Sequence, residues 1–138
     1  SPNIGVCLCV GCWLEGGELM GKDVVEAIKY FASQKKLFKV HLRNVSAPLP
    51  HSVETLLDDG YYDMYRVMKA LVEVGFDGLV IPDHVPALGV LPGRREDTSG
   101  TGAYRPSELM AFNNAGLAYS IGYMNALLNA AKSETGRS

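Results

Sequence analysis

Two periodicities of apolar residues alternate along this chain, and the alternation constrains its fold more than any other feature. Three short segments show the period of two that is typical of strands: residues 4–10, 37–43 and 78–83. Three longer segments show the spacing of amphipathic helices: residues 22–33, a segment capped by Asp63, and residues 116–131. Because strands alternate with helices, the sequence predicts an α/β fold of three consecutive βα units with a parallel sheet and right-handed crossovers.

Length and composition fit one globular domain over residues 1–138. The chain is 47% hydrophobic and 20% charged, which argues against general disorder. Its formal net charge is −2, and no basic cluster is larger than Lys35-Lys36 or Arg94-Arg95. This charge pattern argues against nucleic acid or an anionic membrane as the main partner. No apolar run reaches the length of a membrane span.

The three cysteines fall in one short window, at Cys7, Cys9 and Cys12. An odd number of closely spaced cysteines is a poor disulfide framework, so a reducing, cytoplasmic location is expected. A single C-x-x-C pair supports a structural zinc site only weakly. A redox motif needs a helix N-terminus after the first cysteine, and here the glycines of residues 11–17 predict a loop. Cys7 and Cys12 are therefore predicted to be buried, packed thiols.

Polar residues with metal-binding or proton-transfer chemistry follow the predicted strands. Cys9, His41 and Asp83 lie at or near the C-terminal ends of the three strands. Because functional residues collect beyond these ends in parallel sheets, the three side chains are expected to converge on a metal site. His84 follows Asp83 in a segment that two prolines keep extended. The alternative is a capped turn in which His84 has no role. Residues 85–105 are rich in glycine and charge and are predicted to form a mobile lid.

Several motifs of the chain resemble those of the mannonate dehydratases, in order and with matching spacing over most of residues 4–131. The motifs are Gly5-Val6-Cys7-Leu8-Cys9-Val10-Gly11, Val40-His41-Leu42-Arg43-Asn44-Val45, Asp59-Gly60 with residues 63–71, Pro82-Asp83-His84, and Gly122-Tyr123-Met124. His-Leu-Arg-Asn and Pro-Asp-His on consecutive βα units rarely coincide. The chain is therefore identified as a member of this family.

The resemblance implies a partial TIM barrel of the xylose-isomerase-like kind, in which residues 1–138 correspond to the C-terminal part of a (β/α)8 barrel. It also implies dehydration of D-mannonate to 2-keto-3-deoxy-D-gluconate with a divalent metal, manganese first and iron or zinc as alternatives. By position, Cys9, His41 and Asp83 would bind the metal, and His84 would act as the acid/base. Arg43 and Asn44 would bind the sugar acid.

Departures from the family leave two further alternatives. A full barrel needs about 250 residues, and the family's additional metal-binding histidine has no counterpart upstream of Ile4. A non-catalytic fragment or accessory subunit that keeps a partial metal site is one alternative, and a sugar isomerase or epimerase is the other. Three parallel strands leave open sheet edges, so a homo-oligomer with covered edges is expected.

Overall fold

A computed structural model of the chain describes residues 1–86 and 106–137, and for residues 106–113 it describes the backbone alone. The helices and strands run in the order β1 (Val6–Cys9), α1 (Val10–Gly16), α2 (Val24–Ser33), β2 (Leu37–Leu42), β3 (Asn44–Val45), β4 (Glu54–Thr55), α3 (Met64–Glu73), β5 (Leu79–Pro82) and α4 (Pro106–Thr135). A short 3-10 helix at Gly17–Met20 follows α1. The predicted lid falls largely on residues 87–105, which lie outside the described residues.

The main sheet has the strand order β1-β2-β5 and is parallel throughout. Its register places Cys9 opposite His41 and Leu42 opposite Pro82, so the three strands end at the same edge. A second, antiparallel pair joins β3 to β4 just beyond the end of β2. The predicted α/β fold of three βα units with a parallel sheet is confirmed.

The helices begin where the sequence supplies side-chain caps. Asp23 caps α2 in a capping box with Glu26, and Asp63 caps α3 by accepting from Tyr65 N. Gly75 follows α3 with a φ of +66°, the left-handed conformation that a glycine adopts without steric cost. The predicted cap at Asp63 is therefore confirmed.

One face of the sheet packs against α2, α3 and α4, and the other is open. The buried core takes side chains from the strands and from all three helices: Leu8, Val40, Leu42, Val24, Ile28, Val67, Met68, Leu71, Met124, Leu127 and Ala131. On the opposite face, Leu79 is 58% exposed and Cys7 is also exposed. The prediction that Cys7 and Cys12 are buried thiols is wrong: Cys7 is exposed on a face that no helix of residues 1–86 or 114–137 covers, and Cys12 lies on an exposed turn of α1.

Two segments differ from the sequence-based expectation. The predicted loop after the first strand is wrong, because α1 begins at Val10 and includes Gly11 and Gly16. The Cys9 thiol caps this helix by accepting from Cys12 N at 3.3 Å, which offsets the low helix propensity of glycine. The last helix, predicted as a turn at Pro106 followed by residues 116–131, is one helix of 30 residues. Pro106 occupies its first position, where a missing N–H costs nothing.

Candidate metal centre and acid–base site

The carboxylate of Asp83 brings together the side chains at the three strand ends. Its Oδ2 accepts from the Cys9 Sγ at 3.4 Å, and its Oδ1 lies 3.3 Å from His41 Nδ1. Two donors that each lie about 2.0–2.3 Å from one ion are roughly 3–4 Å apart, so both separations suit ligands of a shared metal. The structure thus places the three predicted ligands in contact, and their role as ligands stays a prediction.

The chemistry of these groups fits a divalent transition metal. A thiol, an imidazole and a carboxylate form a donor set of mixed softness that suits manganese, iron or zinc. His41 Nε2 is buried and has no hydrogen-bond partner. Burial, followed by the contact with Cys12, raises the pKa of the Cys9 thiol to about 12, and a nearby cation would favour its thiolate. Within residues 1–86 and 106–137, no group of three or more His, Cys, Asp or Glu side chains is placed so that it could hold a metal ion as it stands, so binding would require these side chains to move.

Arg43 is buried, and its guanidinium is surrounded by acidic and sulfur groups of the protein. It donates to both carboxylate oxygens of Glu15 at 3.0 and 3.1 Å, to Glu54 Oε1 at 3.0 Å and to Cys12 Sγ at 3.4 Å. Its Nε lies 3.4 Å from Asp83 Oδ2. Burial lowers the pKa of Arg43, but the hydrogen bonds to Glu15 and the two thiols outweigh it and raise the pKa. A substrate carboxylate would have to replace one of these partners.

Glycine at position 11 allows α1 to pack against Arg43. A Cβ added to Gly11 would lie 2.3 Å from Arg43 Nε and 2.8 Å from its Cζ. The same helix carries Cys9 at its N-cap and Cys12 in its first turn. The sequence predicted a loop after Cys9, with no helix N-terminus at the C-x-x-C pair, and this expectation is wrong. The Cys9 thiol caps the first turn of a helix that its glycine content alone disfavours. A redox role of the pair stays a hypothesis.

Asn44 lies next to Arg43 in sequence but does not reach the strand-end cluster. Its side chain is fully buried, donating to Leu57 O at 2.9 Å and to Tyr62 O at 2.8 Å, and accepting from Val45 N at 3.0 Å. These bonds hold the segment that follows β4 against β3. Its predicted contact with the sugar acid stays a prediction, and the contacts in the structure are with backbone groups.

His84 lies at the exposed side of the cluster. Its Nε2 is 3.8 Å from Asp83 Oδ1, its Nδ1 contacts Glu54 Oε1, and its side chain is 63% exposed. The imidazole is therefore accessible to a small molecule beside Asp83. Glu15 binds Arg43, and Glu54 contacts both Arg43 and His84. Neither carboxylate was predicted from the sequence. No motif in the sequence marks Glu54, because its contacts depend on residues that lie far away in the chain.

In the part of the chain that the structure describes, the strand-end cluster is open to solvent. A cavity of about 480 Å³ lies elsewhere, between α1 and the start of α2, with Trp13, Asp23 and Tyr62 among its lining residues. None of the predicted site residues lines it. The cluster opens to solvent at Asp83 and His84, as expected where three strands supply only part of a barrel mouth.

Comparison with known proteins identifies the family. The profile of the family described as D-mannonate dehydratase (UxuA) matches residues 1–134. The chain belongs to this family. Mannonate dehydratase 2 of Halalkalibacterium halodurans is 32% identical over 87 residues, which are 61% of this chain and 24% of that protein. The mannonate dehydratase of Brachyspira hyodysenteriae is 32% identical over 91 residues, which are 64% of this chain and 24% of that protein.

Solved structures agree with the fold. The crystal structure of mannonate dehydratase from Streptococcus suis serotype 2 has a TM-score of 0.69 and 26% identity, covering all of this chain and 35% of that chain. A xylose isomerase domain protein from Planctomyces limnophilus has a TM-score of 0.64, covering 96% of this chain and 40% of that chain. At 16% identity, this second likeness shows the fold alone.

The family and the fold together make the chain part of a TIM barrel. The alignments with the curated relatives above span about a quarter of their length. That the chain corresponds to the C-terminal part of the barrel, as one domain, stays a prediction. None of the helices in the described part of the chain is long and apolar enough to cross a membrane.

Proposed function

We propose that this chain supplies the metal and acid–base residues of a sugar-acid dehydratase that converts D-mannonate to 2-keto-3-deoxy-D-gluconate and water. The observation that carries the proposal is the contact of Asp83 with both Cys9 and His41 at one end of the sheet. Membership of the D-mannonate dehydratase family supports the reaction. The substrate would be a small sugar acid, and the enzyme would act in the cytoplasm.

Cys9, His41 and Asp83 would hold the divalent metal, with manganese as the first candidate. When bound, such an ion stabilises negative charge on the substrate carboxylate and lowers the cost of removing the neighbouring C2 proton. His84, exposed beside Asp83, would receive this proton at its imidazole and pass it to the C3 hydroxyl, which then leaves as water. Arg43 would bind the sugar acid's carboxylate if it exchanged its bond to Glu54, which is 41% exposed, for one to substrate.

The test combines catalysis with a binding measurement. Purified protein is incubated with Mn²⁺ and D-mannonate and assayed for a 2-keto-3-deoxy acid, and Mn²⁺ and Zn²⁺ affinities are measured by calorimetry. Asp83→Asn is expected to weaken metal binding at least about tenfold and to abolish product. Asp77→Asn makes the same chemical change at an exposed position before β5, and it should alter neither.

A second candidate is a non-catalytic fragment or accessory subunit that keeps a partial metal site. Metal binding that depends on Asp83 with no product at high protein concentration would support this candidate and contradict catalysis by the chain alone. A sugar isomerase or epimerase would instead be revealed by an isomeric product without loss of water.

We also propose that the chain associates with further copies of itself through the sheet. In the part of the chain that the structure describes, the face that carries Cys7 and the 58% exposed Leu79 is open, and β1 and β5 are the outer strands of the sheet. Uncovered edges and apolar side chains favour pairing with another chain. Light scattering should therefore show an oligomer at micromolar concentration, and a stable monomer would contradict the proposal.

A further inference from the structure

Glu54 contacts two residues of the candidate site, Arg43 and His84, which follow different strands of the sheet. Its Oε1 accepts from Arg43 Nη1 at 3.0 Å and also contacts His84 Nδ1. Glu54 is the first residue of β4, where it pairs with Val45 of β3. Since Val45 is fully buried, the backbone of Glu54 is anchored to the core while its carboxylate points toward His84.

The contact with Glu54 determines which imidazole nitrogen of His84 carries the hydrogen. An ionised carboxylate only accepts hydrogen bonds, and a neutral imidazole has one donor and one acceptor nitrogen. The contact with Glu54 therefore requires the hydrogen on His84 Nδ1, which leaves Nε2 as the acceptor. At 3.8 Å from Asp83 Oδ1, Nε2 is beyond hydrogen-bond distance of that carboxylate, and no hydrogen bond joins it to another of the described residues, so it can exchange a proton with a bound molecule.

We infer that Glu54 is a positioning residue that fixes His84 in the tautomer with hydrogen on Nδ1 and turns Nε2 toward the substrate. The inference rests on the proposed function and deepens it, because it names the atom that transfers the proton. Nε2 would take the proton from C2 of the substrate and release it to the C3 hydroxyl as the C3–O bond breaks, so water leaves and the imidazole ends each cycle neutral, as it began. The enol that remains becomes the 2-keto product when its hydroxyl proton moves to C3. Glu54 itself would exchange no proton with substrate.

Glu15 provides a matched control for a merely structural role of Glu54. Both carboxylates bind Arg43, and Glu15 does so through two hydrogen bonds. Of the two, the contact with the imidazole belongs to Glu54. If Glu54 served only to neutralise Arg43, loss of either carboxylate should affect His84 in the same way.

The tautomer of His84 can be read directly. The chain has three histidines, His41, His51 and His84, so protein labelled with ¹⁵N-histidine gives a spectrum that His84→Gln assigns. Spectra are recorded without metal at about pH 8.5, where imidazoles are largely neutral. The wild type should show His84 mainly with hydrogen on Nδ1. In Glu54→Ala, the Nδ1–H fraction should fall at least twofold, toward the mixture of tautomers found in free histidine.

Two further variants keep the test decisive. Glu54→Gln retains an oxygen that can accept from Nδ1, so it should restore part of the Nδ1–H population. Glu15→Gln should leave the tautomer of His84 as in the wild type, with folding checked by the dispersion of the amide spectrum. An unchanged His84 tautomer in folded Glu54→Ala, or an equal change in Glu15→Gln, would overturn the inference.

Activity separates this inference from the proposed function. If the wild type forms product, Glu54→Ala should lower kcat by about 10–100-fold with a smaller change in KM, because orientation of the imidazole matters most in the transition state. Absence of product from the wild type would count against catalysis by the chain. The tautomer measurement would still decide the role of Glu54.

Discussion

The ends of β2 and β5 are neighbours in the sheet, yet they hold their polar side chains in opposite ways. Beyond β2, Arg43 is 4% exposed and Asn44 is fully buried, and protein groups satisfy the Asn44 amide. Beyond β5, the Asp83 side chain is 17% exposed and that of His84 is 63% exposed. The helix α1 and the β3–β4 pair cover the first end, whereas no described element covers the second.

Because of this difference, we expect residues at the end of β2 to stabilise the fold and residues at the end of β5 to bind metal or act on substrate. The covered end of β2 positions Glu54 and the polar backbone around it, so changes there should cost stability. The open end of β5 presents Asp83 and His84 to solvent, so changes there should cost metal binding or activity with little loss of stability. The Asp83 variant described above, and the Glu54 variants that are measured through His84, address the open end. The following predictions address the covered end.

Asn44→Ala should produce the largest loss of stability. It removes three buried hydrogen bonds and leaves Leu57 O, Tyr62 O and Val45 N without their partner. Because an unpaired buried group costs about 1–3 kcal/mol, the free energy of unfolding should fall by roughly 3 kcal/mol or more, measured by urea denaturation.

Two controls sharpen the Asn44 prediction. Asn44→Asp keeps the shape but places an oxygen opposite two carbonyl oxygens, so it should destabilise at least as much as alanine. Asn129→Ala makes the same change at an exposed position of α4 and should be neutral or slightly stabilising. A loss below about 1 kcal/mol for Asn44→Ala would show that the covered end is not held by this amide.

Gly11→Ala should have the next largest effect. Its Cβ would meet the buried Arg43 side chain, which Glu15 holds in place with two hydrogen bonds. Overpacking of this kind costs about 1–3 kcal/mol in the free energy of unfolding. The matched control is Gly122→Ala in α4, where a Cβ meets nothing within 4 Å. That change should stabilise the protein by up to about 1 kcal/mol, since alanine favours a helix. Equal effects at the two glycines would contradict close packing at Arg43.

The sequence predicted the main sheet well because its signals are local. Alternating apolar residues mark β1, β2 and β5, and the side chain of Asp63 marks the start of α3. The position of Cys9, His41 and Asp83 followed from the same periodicity, since parallel strands end at one edge. These expectations depend on residues only a few positions apart in the chain.

The parts that were missed depend on contacts over long distances in sequence. The sequence of residues 10–17, with Gly11 and Gly16, predicts a loop. Its packing against Arg43, which lies 32 positions after Gly11, is visible only in the structure. Glu54 becomes informative only when its carboxylate is found between Arg43 and His84. Likewise, the saturation of Asn44 by backbone groups cannot be read from the His-Leu-Arg-Asn motif. Such roles require the tertiary structure.

The smallest expected effect concerns Tyr62, which connects the covered end of β2 to α2. Its carbonyl accepts from Asn44, and its hydroxyl donates to the carboxylate of Asp23 at the start of α2. Burial, then the hydrogen bond to Asp23, raises the pKa of the Tyr62 phenol. An unfolded tyrosine ionises near pH 10, so between that pH and the higher folded pKa the unfolded state binds fewer protons and stability falls as pH rises.

Tyr62→Phe should remove this part of the alkaline loss. Between pH 8 and about pH 10.5, the free energy of unfolding of the wild type should fall more than that of the variant, by a few tenths to about 1 kcal/mol. At pH 8 the variant should be less stable by about 1 kcal/mol, the typical net value of a hydrogen bond, since this one is only part-buried. Urea denaturation at the two pH values measures both quantities. An equal fall in the free energy of unfolding of the two proteins would mean that the hydrogen bond between Tyr62 and Asp23 does not persist in solution. The covered end of β2 would then be stabilised by the Asn44 hydrogen bonds and the packing at Gly11, without a contribution from α2.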